Sequence, residues 1–220
     1  MTKLILIRHG QSEANLEGRF AGFYDAPLTE LGEKQAALSG AYVAENYKVS
    51  RVYASDLKRA YFTGKAAADA CGVEILPEPR LREISAGVWE GMLFADIVAD
   101  YAEDFDRFLK DPGNAYATDG ESVAEMSERV MAALLEIAER HEGETVVLAS
   151  HATPIRAIQT LVTFGELPRM KELSWVSNAS VSVLNYENGK FEFELVSYDD
   201  HLAGIITELP KAVEFPKSEE

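Results

Sequence analysis

The chain has 220 residues, 47% of them hydrophobic and 26% charged, with a formal net charge of −16. That length suits one domain with room for an inserted cap, and that composition suits an ordinary soluble globular protein. The acidic balance argues against general nucleic-acid binding and against anionic membranes. No stretch is long and apolar enough to cross a bilayer, and the apolar run at 4–7 is too short for a secretory signal. Cys71 is the single cysteine, so no internal disulfide can form. A reducing compartment, and hence a cytoplasmic location, is expected.

In chain order, residues 3–7 read as a buried strand, a short apolar run ending at Arg8-His9-Gly10. Thr29 can cap a helix over Glu30–Asn46, with Leu31, Ala37, Leu38, Ala41 and Tyr42 at helical spacing. Arg51–Ala54 is a short strand. Ser55 or Asp56 then caps a helix that reaches Cys71 and stops at Gly72, which makes Cys71 a small buried hydrophobe near a helix end. Residues 73–76 form a strand broken by Pro77 and Pro79. A long amphipathic helix covers 122–140, and a strongly apolar strand covers 145–149. Pro154 sits in the first turn of the following helix, where its missing N–H costs nothing. Residues 180–186 and 191–198 alternate around Asn188-Gly189, a hairpin signal.

Alternating strands and helices predict an α/β three-layer sandwich: a largely parallel central sheet, helices on both faces and an antiparallel C-terminal hairpin. One domain spans 1–208, with a small helical cap inserted at about 92–119. A polar tail at 209–220 reads as mobile. The hairpin can leave an open edge for a second copy, which makes a homodimer possible.

Ligands of such sheets bind at the carboxyl ends of the strands. Three predicted strands end there in polar clusters: Arg8-His9-Gly10, Ser55-Asp56 running into Arg59, and Ser150-His151. Two histidines and two arginines can therefore converge into a cationic pocket on an acidic protein. A phosphoryl group in transfer spreads negative charge over its equatorial oxygens, and fixed arginine forks answer it. A neutral imidazole can attack phosphorus, and a carboxylic acid can protonate the departing alkoxide. Gly10, followed by a helix starting near Gln11 and Ser12, can bring backbone N–H groups close to the anion. Each piece alone has a plainer reading: His9 as a satisfied strand-end histidine, Arg59 as a solvated helix residue, His151 as a helix cap.

The segments Leu6-Ile7-Arg8-His9-Gly10-Gln11-Ser12-Glu13-Ala14-Asn15, 27–36, 54–63, 81–91, Gly120-Glu121-Ser122 and 148–157 together resemble the histidine phosphatase superfamily, phosphoglycerate-mutase-like branch. The resemblance runs in order over nearly the whole chain. It implies a metal-independent phosphatase without cofactor, acting on small-molecule phosphate esters. It implies His9 as the nucleophile, Arg8, Arg59 and His151 as the phosphate clamp, and Asn15 as a further contact. Glu83 is implied as general acid and then base; on its own it reads as a surface glutamate beside Arg82. The candidate substrate-binding set is Gly10, Ser12, Asn15, Gly22 and Ala152, where Ala152 stands at a position that is glycine in many relatives. His141 reads as a favourable charge at a helix C-terminus. His201 reads as structural, though near enough the end to touch the pocket.

Three functions compete: a phosphatase, a cofactor-dependent phosphoglycerate mutase, and a non-catalytic binding relative. Every matched catalytic position carries the expected residue type, which disfavours the last. Mutases carry a basic-and-tyrosine signature after the acid, where this chain has Ile84-Ser85-Ala86. Between Met92 and Asp119 the chain holds seven acids and only Arg107 and Lys110 as bases, a poor welcome for a bisphosphate. Phosphatase is expected. Phe94, Tyr101, Phe105, Phe108 and Tyr116, with Phe20, Phe23 and Tyr24, either line a partly apolar leaving-group site or, as for Phe105 and Phe108, anchor the cap helix to the body.

Overall fold

A computed structural model describes residues 1–207; the tail predicted at 209–220 lies outside them. Six strands form one sheet: β1 (Thr2–Arg8), β2 (Arg51–Ala54), β3 (Ile75–Pro77), β4 (Thr145–Ser150), β5 (Val181–Glu187) and β6 (Lys190–Tyr198), in the order β3-β2-β4-β1-β5-β6. β3, β2, β4 and β1 run parallel, while β5 is antiparallel to β1 and β6 to β5. The predicted architecture is therefore the observed one. The hairpin turns at Asn188 and Gly189, both at positive φ (52° and 77°), the left-handed pair a two-residue turn requires.

Neighbouring residues of β1 serve opposite layers. Leu4 and Leu6 pack with Met126, Val130, Leu134 and Ile137 of α6 (Val123–Arg140) and Ile155 and Ile158 of α7 (Ala152–Phe164). Ile5 and Ile7 pack with Val43 of α2 (Glu30–Asn46) and Ala67 and Ala68 of α3 (Lys58–Cys71). A short α1 (Glu13–Glu17) follows β1, and α4 (Phe94–Asp100) and α5 (Ala102–Lys110) stand between β3 and α6. Phe20, Trp89, Phe105 and Phe108 interlock edge-on and tie this segment to the body. No helix among the described residues is long and apolar enough to cross a membrane.

Two local expectations change. The third strand is Ile75–Pro77 and not 73–76. Helix α3 starts at Lys58, after a Leu57 cap with no side-chain bond, and not from Ser55 or Asp56. Both expected caps are diverted: the Ser55 hydroxyl bonds His151, and the Asp56 carboxylate takes the Arg82 fork at 2.6 Å. The carboxylate of Asp25 accepts the Lys58 N–H instead, at 2.7 Å. Gly72 does end α3 in the left-handed conformation, and Cys71 is only half-buried, against the Ile5 layer.

Candidate active site

Register brings the polar strand ends together. Arg8 pairs with Ser150 across β1 and β4, and Ala54 with Ala149 across β2 and β4. His9, His151 and Ser55 therefore leave three adjacent strands at one edge of the sheet. The two imidazoles pack at 5.2 Å between ring centroids, both buried.

Each imidazole is oriented through one nitrogen. Nδ1 of His9 lies 2.7 Å from the Gly10 carbonyl, which can only accept. His9 is therefore the Nδ1–H tautomer, with a lone pair on Nε2. Nε2 of His151 lies 2.8 Å from Ser55 Oγ, which also accepts the Leu57 N–H at 3.3 Å. Ser55 is fully buried. If His151 donated to it, the hydroxyl proton would have no acceptor among the described residues. If Ser55 donates, every group of this set is satisfied except Nδ1–H of His151, which has no partner among the described residues. Burial, then Arg59, depresses both imidazole pKa values well below their ordinary range. Both rings are neutral at pH 7.

The two arginines are held by backbone carbonyls. Arg59 donates to the carbonyls of Gly22 (2.7 Å) and Tyr24 (2.9 Å), and Arg8 donates to that of Val176. Neither is in a salt bridge with a described residue, although Glu83 lies near both, and Nε of each is buried without a partner among the described residues. Burial draws the Arg8 pKa down to about 10 and also lowers that of Arg59. Asn15 accepts with Oδ1 from Ser12 and, at 3.2 Å, from Asn178, which leaves its Nδ2 to donate.

Glu83 is buried at the N-terminus of α7, where its carboxylate accepts from the Ile84 N–H (2.9 Å) and faces the Thr153 N–H (3.4 Å). Its backbone is strapped by Arg129 of α6. That guanidinium donates to the carbonyls of Arg80 (2.8 Å), Arg82 (2.8 Å) and Glu83 (2.6 Å), and forms a two-pronged pair with Glu121. Glu121 in turn accepts the Ser85 N–H at 3.1 Å.

Arg8, His9, Asn15, Gly22, Arg59, Glu83 and Ala152 line one cavity of about 170 Å³. His151, packed on His9, is fully buried and is not among the residues that line it. Gly10 and Ser12 do not line it. The Gly10 N–H is spent on Thr63 Oγ1 (3.0 Å), the Gln11 N–H on Gln35, and the Ser12 N–H on Asn15. The expectation that these amides face the anion therefore fails. Gly10 instead lets two chains touch: a Cβ there would lie 2.3 Å from the Gly32 carbonyl oxygen. Ser12 and Asn15 form a capping box that starts α1 and aims Asn15. His201 stacks on Tyr42 away from the cavity, and His141 bonds Tyr53 and Glu144. Ser55, Asn178 and Arg129 were not singled out as site residues in the sequence; only the polar strand end at Ser55 marked one of them.

Residues 4–199 match the histidine phosphatase superfamily (branch 1). The chain is 36% identical over 213 residues to phosphoserine phosphatase 1 of Hydrogenobacter thermophilus, covering 97% of this chain and all of that one. It is 35% identical to a probable phosphoglycerate mutase of an Enterobacter species, over 85% and 86% of the two chains. A crystal structure of a phosphoserine phosphatase mutant from Entamoeba histolytica, in complex with phosphoserine, superposes with a TM-score of 0.79 at 28% identity, over 92% of this chain and all of that one. The chain belongs to the histidine phosphatase superfamily and is a phosphoric monoester hydrolase.

Proposed function

We propose that the chain hydrolyses small-molecule phosphate monoesters in two steps through a phosphohistidine on His9. The observation that carries this reading is the Nδ1–H···O contact to Gly10, which leaves the Nε2 lone pair of a neutral, buried imidazole as the attacking atom. In the first step Nε2 bonds to phosphorus, the P–O ester bond breaks, and the Glu83 carboxylic acid gives its proton to the departing oxygen. In the second, the Glu83 carboxylate takes a proton from water as that water attacks phosphorus, and the P–N bond breaks to release His9 and inorganic phosphate. Arg8, Arg59, Nδ1–H of His151 and Asn15 donate to the equatorial oxygens throughout. These groups supply the positive charge and the proton shuttle from protein alone, so the route calls for no metal. The segment at 92–119 serves as the cap over the leaving-group side.

The segment after Glu83 favours hydrolysis over mutase transfer. Ile84 and Ala86 are fully buried, and both backbone polar groups of Ser85 are bonded to Glu121, so no base stands there to hold a second anionic group. The names of relatives make O-phosphoserine the first ester to assay. The test is rapid quench with a ³²P-labelled ester, with and without 2,3-bisphosphoglycerate. Wild type should form an acid-labile, base-stable phosphoenzyme and release phosphate without the bisphosphate; His9→Ala should form none. Label retained by His9→Ala, or phosphoglycerate interconversion that requires the bisphosphate, would overturn the proposal.

A further inference from the structure

The proposed reaction uses only the polar part of the cavity lining. The same cavity is also lined by different material: Phe94 of α4, Phe105, Phe108 and Leu109 of α5, and Trp175 ahead of β5. The rings are not loose. Phe94 packs on Phe105 with centroids 5.9 Å apart, and Phe20 sits edge-on to Phe94 and Phe108 at 6.2 and 5.3 Å, against the fully buried Trp89. Phe105 and Phe108 therefore serve both readings open from the sequence: they anchor α5 and form cavity wall.

Among the described residues, charge is scarce in the lining. Beyond the clamp, the lining cation among them is Arg19, whose Nε is paired to Glu17 at 2.5 Å and whose Nη1 is given to the Gly91 carbonyl at 2.8 Å. Among the same residues Glu83 is the lining carboxylate, and none of the seven acids between Met92 and Asp119 lines the cavity. A leaving group bearing a carboxylate or an ammonium would shed water against aromatic faces with little counter-charge in return. An uncharged hydrocarbon would gain burial. At about 10–15 Å³ per water-sized site, the cavity of about 170 Å³ holds roughly 11–17 heavy atoms, about five of them the phosphate.

We infer that this wall selects monoesters of uncharged, apolar primary alcohols, alkyl or arylalkyl, over amino-acid and sugar-acid phosphates. The inference rests on the phosphatase reading above. A fold and a phosphate clamp shared with relatives do not choose the leaving group.

The test is kcat/KM for ethyl, butyl, hexyl and 2-phenylethyl phosphate against O-phosphoserine and 3-phosphoglycerate. The leaving alcohols of the alkyl series are of similar acidity, so chain length changes burial and not leaving ability. Wild type should gain about 3–4-fold per buried methylene until the cavity is full. 2-Phenylethyl phosphate should exceed O-phosphoserine by about tenfold or more, the worth of two or so buried methylenes. Leu109→Gln should flatten the chain-length dependence. A flat series in wild type, or O-phosphoserine as the best ester, would overturn the inference while phosphate release and the phosphoenzyme remain. No phosphate release from any ester, with no phosphoenzyme, would instead sink the phosphatase reading beneath it.

Discussion

Ser55 shows how one hydroxyl can set the chemistry of a neighbouring ring. Because its proton has no other acceptor among the described residues, that proton goes to Nε2 of His151, and the free donor of that ring becomes Nδ1–H. Ser55→Ala removes the constraint. We expect the Nδ1–H signature of His151 in long-range ¹H–¹⁵N spectra to give way to a tautomer mixture, kcat to fall about tenfold, the worth of one hydrogen bond of about 1.4 kcal/mol, and Ser55→Thr to restore both. An unchanged tautomer in Ser55→Ala would show that another group sets it. In the proposed mechanism Glu83 acts through its proton, so its loss should depend on the alcohol. Glu83→Gln should cost about 10²–10⁴ with alkyl esters, the usual worth of general acid catalysis. In a burst experiment with an ester of an acidic phenol, the first step should be nearly spared. Equal losses with both ester classes would remove Glu83 from the proton-donor role.

At the scale of elements, the site is assembled by strand ends and held by straps from helices. Glu83 lies on an irregular segment, with short helical turns at Pro79–Leu81 and Gly87–Trp89 on either side. What fixes it is Arg129 of α6, which collects three carbonyls of residues 80–83 while Glu121 holds its other prongs. Arg129 is a positioning residue, and its removal should move Glu83 without touching the phosphate clamp. Arg129→Met should lower kcat about 10–100-fold for alkyl esters, the scale of a misplacement near 1 Å. KM and the phosphoenzyme level with activated aryl esters should change little. A rise in KM with kcat intact would mean that Arg129 serves binding. The same logic explains why Ser55 and Asp56 do not cap α3: their side chains are committed to His151 and Arg82, and the helix starts two residues later on a carboxylate borrowed from Asp25.

Across the whole molecule, a net charge of −16 surrounds a pocket with two buried guanidiniums and two neutral imidazoles. Burial holds the folded pKa values of His9 and His151 well below their unfolded value of about 6.5. Below about pH 6.5 the unfolded chain therefore binds protons that the folded chain refuses, and stability falls as pH falls through that window. Because kcat/KM reports the free enzyme, its acid limb from His9 should lie well under the ordinary imidazole value. Paired measurements of kcat/KM and of denaturant midpoint from pH 4 to 8 check both signs. An activity limb at the ordinary imidazole pKa, or a stability that rises on acidification, would contradict the neutral buried pair.

Much of this was legible in the chain. The short apolar runs, Thr29, Gly72, Asn188-Gly189 and the alternation of strand and helix determined the layers and the hairpin, because periodicity and turn chemistry are local properties. Polar clusters at three strand ends pointed to the pocket edge, because a parallel sheet puts its carboxyl ends on one side. The rest was decided by groups distant in sequence meeting in space. Asn178 reaches His9 across 169 positions, Arg129 straps residues that precede it by nearly fifty, and Gly10 owes its identity to the carbonyl of Gly32. Which of the two readings of the aromatic residues holds could not be told from the sequence, since a count carries no direction; packing places Phe20, Phe94, Phe105 and Phe108 in the cavity lining and none of the seven acids between Met92 and Asp119. Local sequence specified which elements form; only tertiary packing assigned each hydrogen bond its partner, and with it the tautomers on which the proposed chemistry depends.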